Sequence, residues 1–433
     1  MNESYGIANV ADNQVIIVNH LINKLALSES LEESAKKYRA LVRRRIVKSA
    51  TDLLVSLFMY AVSGMSLRLL ATSTSAMGIA NMTDQAWQKR IVLCEPWLAS
   101  ILSDVMHKLP SKKRKLFCGR TVKLIDGSMF VQAGNKDKKG GKSLRVHMCY
   151  NLTEGVMDSI LLTDDRTAES VSIVNINSND IVIGDAGYGK GKSLVHVLSL
   201  KADAIFRASP NLLNLAHDAQ GKLKLNMIEK LTGAKDDVLD FSCFVHSENR
   251  KYHKVRVIAS RLPEDKALLA KKRKKRRASK RQQQIKEETL IFAEWIVLIT
   301  SLSYDFSAER ILEMYRARWQ IELLFKRIKQ SFKVQKLQPA TLEHSTVMVL
   351  LWLILWALTE KQSVAIEMFL IEKDENMNRY SPWATQSFIL LQLKAFINSM
   401  WLYCLSYSGD SLQLFRRLLN HHSSRRNDYA LFS

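Results

Sequence analysis

Three acidic residues and one mixed stripe hold the chemistry this 433-residue chain could perform. Asp126 lies within the apolar stretch VKLIDGSMF, Asp185 follows DIVIG, and Glu322 falls in the run YRARWQIELLFKRIK. Carboxylates that are distant in sequence but meet in one pocket can hold two divalent ions about 3.5–4 Å apart. One ion activates a nucleophile and the other stabilises the leaving oxygen of a phosphodiester. Hard oxygen donors suit Mg2+ or Mn2+. An Asp at the carboxyl end of a parallel strand is also where α/β proteins bind ligands. The competing reading puts both aspartates in turns, where Asp-Gly and Gly-Asp pairs are frequent.

The stripe surrounds Glu322. Tyr315, Arg318, Glu322 and Lys329 are separated by three, four and seven residues, so on a helix they fall within an arc of about 60°. Trp319 and Lys326 flank them. A guanidinium and an ammonium beside a metal-binding carboxylate are what a phosphate backbone requires. The plainer alternative is a solvated face with an Arg318–Glu322 pair worth a few tenths of a kcal/mol. Tyr and Trp in line with the charges favour the first reading.

Residues 1 to about 105 read as helical, with apolar spacing over Ser28–Tyr38, Arg44–Tyr60, Ser66–Thr72 and Asp84–Leu93. Met65–Val92 is compatible with two short helices joined by a small-residue connector, the outline of a helix-turn-helix. An ordinary helical bundle fits equally. From Val122 the pattern turns to strands. Val122–Phe130 is one, and Leu144–Leu152 and Val156–Thr163 form a hairpin around Thr153-Glu154-Gly155. Asp180–Gly184 and Ala204–Ala208 are further strands, with a helix over Lys192–Leu200 between them. Residues 210–290 are irregular and polar, with strands over Phe241–His246 and Lys254–Ser260, and end in the basic run KKRKKRRASKR, read as a solvated loop. A strand follows over Glu294–Thr300, then one long helix from Ser307 to about Gln330, and the remainder reads as helical.

This order describes a mixed α/β fold with a ribonuclease-H-like core interrupted by an insertion. The expected division is 1–105, a helical, helix-turn-helix-like end-binding region; 106–210, the first part of the core with Asp126 and Asp185; 211–290, a β-rich insertion; 291–375, the last strand and helix with Glu322; and 376–433, a helical region that is the candidate for dimer contacts.

Composition narrows the partners. Sixty-four Lys and Arg against 42 Asp and Glu give a net charge of +22, which favours polyanions, nucleic acid before anionic membrane. Five scattered cysteines without a C-x-x-C pair offer neither a disulfide framework nor a zinc site, so a reducing cytosol fits. Met1–Lys24 lacks a signal-peptide pattern. The longest apolar run, Val347–Leu358, is shorter than a membrane span and reads as a buried helix. GDAGYGKGKS resembles a phosphate-binding loop, but in each register either a required Gly or the Ser/Thr is missing. His147 reads as a strand-surface histidine, and His421-His422 lack a third ligand.

Together LIDGSMF, GDAGYG and YRARWQIELLFKRIK make the chain resemble bacterial insertion-sequence transposases of the DDE class. The subgroup is the one marked by Tyr-x-x-Arg-x-x-x-Glu-x-x-x-x-x-x-Lys, which includes relatives of the transposon-five transposase. The resemblance spans about residues 40 to 375. It implies that Asp126, Asp185 and Glu322 bind two Mg2+ ions, with Mn2+ able to substitute. Arg318 and Lys329 would hold phosphates and Tyr315 would contact the backbone, with Trp319 and Lys326 beside them on the DNA side. A Trp of the insertion region, here Trp295, would stack on an extruded base; core packing is the alternative for a lone Trp in an apolar strand. The implied activity is cut-and-paste transposition through a hairpin. The implied partners are terminal inverted repeats, bound by the N-terminal helices, target DNA, and a second copy of the chain, with no membrane. A cytoplasmic, nucleoid-associated place in a bacterium follows. Two rivals stand beside this reading: a metal-dependent nuclease of the same fold that does not join strands, and a non-catalytic DNA-binding protein.

Overall fold

The computed structural model describes residues 25, 27, 29–108, 119–130, 143–209, 214–246, 251–331, 341–373, 384, 387–392 and 395. Met1–Lys24, His421-His422 and nearly all of the expected C-terminal region 376–433 lie outside the described residues. The chain forms two compact units, one from 1–110, 130–144 and 327–433, the other from 111–129 and 145–326.

The first unit is helical. It holds α1 (Leu31–Lys37), α2 (Ala50–Ser63), α3 (Leu67–Ala76), α4 (Asp84–Leu93), α5 (Glu95–His107) and α12 (Leu342–Lys373). Ser66 caps α3 by accepting from the Leu69 amide, and Thr83 caps α4 by accepting from Ala86. The Trp87 indole donates to Thr74 Oγ1 at 3.2 Å and joins the two helices, so the expected helix pair is present. α12 is long and apolar enough to cross a membrane by length and composition, over Leu342–Ile366. Its apolar run is instead packed against α2, α4 and α5, and Leu351, Leu353, Ile354 and Leu355 are fully buried. A helix that is apolar on every side needs such a jacket. Tyr60 Oη bonds His344 Nε2 at 3.0 Å and fixes its start.

The second unit is built on one mixed sheet of nine strands in the order β3-β2-β1-β4-β5-β9-β8-β7-β6. The strands are β1 (Val122–Phe130), β2 (Leu144–Asn151), β3 (Val156–Asp164), β4 (Ile181–Gly184), β5 (Asp203–Arg207), β6 (Leu215–Ala216), β7 (Val238–His246), β8 (Tyr252–Arg261) and β9 (Trp295–Thr300). β1, β4 and β5 are parallel neighbours, and β9 runs antiparallel to both β5 and β8. The first five strands have the order expected of a ribonuclease-H-like core. Gly155, at φ +70, closes the hairpin between β2 and β3 by donating to the Asn151 carbonyl.

The remaining helices of this unit are α6 (Gly191–Ser199), α7 (Met227–Thr232), α8 (Glu264–Lys280), α9 (Glu287–Ala293), α10 (Ala308–Arg316) and α11 (Trp319–Ser331), whose last turns belong to the first unit. The strands of residues 211–290 extend the core sheet, because β8 pairs with β9 over six residues. Two expectations change here. The basic run is not a loop but the second half of α8. The long helix expected from Ser307 is two helices, joined at Ala317-Arg318 by amide bonds reaching back three residues, Arg318 to Tyr315 and Ile321 to Arg318. That tighter winding re-aims the side chains that follow it.

The glycines after Asp185 serve packing. A Cβ at Gly189 would overlap the Arg207 carbonyl, and one at Gly191 would overlap the His246 carbonyl. These residues let α6 start against β5 and β7, which accounts for the phosphate-loop likeness without a nucleotide. Gly191→Ala is therefore expected to destabilise the protein by about 1–3 kcal/mol, read as a lowered thermal unfolding midpoint. An unchanged midpoint would contradict this close approach.

Candidate active site

The register of two strands brings the aspartates together. Leu124 pairs with Ile183 and Ile125 with Gly184 across the parallel β1–β4 ladder. Asp126 and Asp185 come next on strands about 4.8 Å apart. Each carboxylate is held by a backbone amide: Asp126 Oδ1 accepts from Gly127 and Asp185 Oδ1 from Gly187, both at 2.8 Å. Burial, and then the charge of Asp185, push the Asp126 carboxyl up to about 7. Glu322 acts on Asp126 in the same direction and Arg318 opposes both. The three expected acids thus share one electrostatic neighbourhood.

Arg318 supplies the local counter-charge. Its Nη2 lies 2.6 Å from Glu322 Oε1 and its Nη1 4.0 Å from Asp126 Oδ2. The Arg318–Glu322 pair is therefore not a merely solvated one. The Tyr315 hydroxyl and Arg318 Nε are buried and have no hydrogen-bond partner among the described residues. Two such atoms cost about 1–3 kcal/mol each unless a ligand meets them, and a phosphate oxygen is the acceptor both would suit.

The donor set fits divalent cations. It is all carboxylate oxygen, and burial together with the charge of Asp185 raises Asp126, a penalty that a cation would relieve. Among the described residues no three of His, Cys, Asp and Glu are already gathered around one metal position. Arg318 occupies the electrostatic role instead.

A fourth acid belongs here. Glu169 is half-buried, and burial together with the charge of Asp185 raises its carboxyl above the usual range. A Cβ at Gly187 would overlap its Oε2, and one at Gly127 would lie 3.0 Å from its Oε1. Each motif aspartate is thus followed closely by a glycine that makes room for the same carboxylate. Arg145 Nη1, 3.8 Å away, faces it from β2. Only that pair of glycines hinted at Glu169 in the sequence, where it sits in a polar stretch.

Arg256 was also missed. It is buried on β8, binds Asp240 through two nitrogens at 2.7 and 2.5 Å, and donates at 2.7 Å to the carbonyls of Ser303 and Phe306. Its guanidinium lies 4.2 Å from the Tyr304 ring centroid. It thereby fixes the loop that ends at Ser307, the N-cap of α10, and so sets where Tyr315 and Arg318 begin.

The other expected residues divide. Trp319 is 60 % exposed and Lys326 is exposed, as a DNA-facing role requires. Lys329 belongs to the first unit, with its ammonium 5.0 Å from the Phe130 ring centroid. Trp295 is only 2 % exposed, packed in the sheet core with the Arg261 guanidinium 4.6 Å from its ring centroid. Core packing accounts for Trp295, and no base can reach its face in this structure. His147 is buried rather than on the strand surface. Its Nε2 meets Thr163 Oγ1 at 2.9 Å, and burial lowers it to about 4.

A carboxyl raised to about 7 has a consequence for stability. Its protonated form favours the folded, metal-free protein at low pH, and that contribution is lost as pH rises through 7. Thermal unfolding in chelator is expected to show a falling midpoint from pH 5 to 8. The fall should be smaller in Asp126→Asn. Parallel curves for the two proteins would refute the raised Asp126 carboxyl.

The chain is similar to known proteins along most of its length. Residues 118–358, more than half of the chain, match the family model described as Transposase DDE domain. A putative transposase for insertion sequence element IS186A of Escherichia coli (strain K12) is 29 % identical over 334 residues, 76 % of this chain and 87 % of the relative. The transposase for insertion sequence element IS421 of Escherichia coli is 29 % identical over 335 residues, with the same coverage. The chain belongs to the DDE transposases, the enzymes of bacterial insertion sequences.

Proposed function

We propose that this transposase moves its element by cut-and-paste chemistry at the site formed by Asp126, Asp185 and Glu322. The observation that carries the reading is the adjacency of Asp126 and Asp185 in the β1–β4 register, with Arg318 set between Asp126 and Glu322. Two Mg2+ ions, replaceable by Mn2+, would be held by these carboxylates and would activate the nucleophile and stabilise the leaving oxygen. The chain's own groups do the rest. Glu169 confines the two aspartates from the side of their glycines. Arg318, drawn away from the carboxylates, and Tyr315, through its unpartnered hydroxyl, hold non-bridging oxygens of the scissile phosphate. Lys329 adds a further backbone contact, as its place in the signature implies.

Four in-line displacements at phosphorus follow. Water cuts one strand and frees a 3′-hydroxyl. That hydroxyl attacks the opposite strand, forming a hairpin and releasing the flank. Water reopens the hairpin, and the 3′-hydroxyl attacks target DNA. Trp319, rather than Trp295, offers an open indole face for a base extruded at the hairpin. The α3–α4 pair would recognise the terminal repeats, and two copies would pair the two ends. The place of action would be the bacterial nucleoid.

The purified protein, incubated with duplexes carrying the element's ends and Mg2+, is expected to give nicks, hairpins and joined products. Asp126→Asn, Asp185→Asn and Glu322→Gln should each lower nicking by at least about 10²–10³-fold, with end binding nearly unchanged. Retained Mg2+-dependent nicking in one of them removes that residue from the triad. A precut 3′-hydroxyl end that is never joined to target would favour the nuclease reading. Trp319→Ala should lose hairpins while still nicking, and equal hairpin yield would exclude the indole as the platform.

A further inference from the structure

The second half of α8 has no assigned role, and its charge pattern is unusual for a folded helix. Lys272 through Arg277 are six consecutive basic residues, all exposed, and none forms a hydrogen bond or ion pair among the described residues. Like charges face each other at a spacing of four, Lys272 with Arg276 and Arg273 with Arg277. Such pairs work against a helix. The acids that complement the helix dipole, Glu264 and Asp265, are both in the first turn. α8 buries no residue fully. It rests on the unit by a half-buried stripe of Ala267, Ala270, Lys271 and Ala278, with Lys271 ion-paired to Glu294. The opposite faces are left to solvent and repel themselves. A polyanion would remove that repulsion.

The basic surface does not end with the helix. Arg207, at the carboxyl end of β5, is half-buried and has no carboxylate partner among the described residues. Its backbone lies against Gly189, in the loop that follows Asp185. Its charge acts on Lys274 of α8 and on Tyr315 of the candidate site. A row of cations therefore leads from α8 across Arg207 to Tyr315 and Arg318, all within the second unit. Residues 271–280 extend about 15 Å, a length over which duplex DNA presents about nine phosphates.

We propose that α8 is a rail for the phosphate backbone of duplex DNA, holding the DNA that leads into the active site through contacts that do not read sequence. The inference rests on the transposase reading above for which DNA is led where, but its test does not depend on catalysis.

The test uses full-length protein and a duplex of arbitrary sequence, about 30 base pairs long. A variant carrying Lys272→Gln, Arg273→Gln, Lys275→Gln and Arg276→Gln is compared with wild type and with the charge-preserving pair Lys272→Arg and Lys275→Arg. Affinity is measured against salt concentration. Each lost phosphate contact flattens the log–log slope by about 0.9, so the Gln variant should lose about 3–4 of slope and bind at least ~10-fold more weakly near physiological salt. The Arg pair should match wild type. Trypsin cleavage within 272–277 of the wild type should be suppressed by the duplex, a readout that needs no variant. An unchanged slope, a defect shared by the Arg pair, or undiminished cleavage on saturation with DNA would each overturn the rail. Weakening limited to one DNA sequence would also overturn it. Mg2+-dependent nicking by the same wild-type sample reports separately on the catalytic reading. Failure to nick would strike that reading and leave the slope result standing.

Discussion

Mutual repulsion of carboxylates is the constraint around which the second unit is organised. A parallel pairing of β1 and β4 forces Asp126 and Asp185 into adjoining positions. Glu169 is pressed against the glycines that follow them, and Glu322 reaches the same neighbourhood. Burial, and with it this repulsion, favours the protonated form and raises the Asp126 carboxyl. The free protein balances part of the charge with Arg318. Metal ions and a phosphodiester together could take over that balance, the ions meeting the carboxylates and the phosphate meeting the guanidinium. The region matched by the DDE family, residues 118–358, contains all four acids and Arg318.

Holding repelling groups in place requires a stiff frame, and much of that frame comes from the insertion. Arg256 of β8 ties the loop before α10 through two backbone carbonyls. β8 and β9 pair over six residues, and β9 pairs with β5, so this anchor is hydrogen-bonded to the core strands. The three-residue winding at Ala317-Arg318 then turns the chain into α11. Residues 211–290 therefore support the helices that carry Tyr315, Arg318 and Glu322, as well as bearing basic charge.

Local pattern made much of this legible in advance. β1 runs over the nine residues expected from its apolar stretch, and α4 has its expected ends because Thr83 and Asp84 form an unambiguous start. The acids were readable because strand and helix patterns surrounded them on both sides. What was hidden depended on tertiary structure. No Gly or Pro marks the break at Ala317-Arg318. Glu169 acquires its role only when a polar loop folds over two glycines. The run after Lys271 looked like a loop because repulsion between its side chains argues against a helix, although Lys, Arg and Ala individually favour one. Trp295 offered no periodicity that separates a buried ring from an open one, and the sheet core claimed it.

The continuity of the nine-stranded sheet also limits how the protein can be trimmed. Excising residues 211–290 to obtain a minimal catalytic core would strip β8 from β9 and leave Trp295–Thr300 as an uncovered apolar border. Such a border recruits strands from other molecules. The shortened product would tend towards self-association, and the segment that looks dispensable in the linear chain acts as the sheet's guard against aggregation.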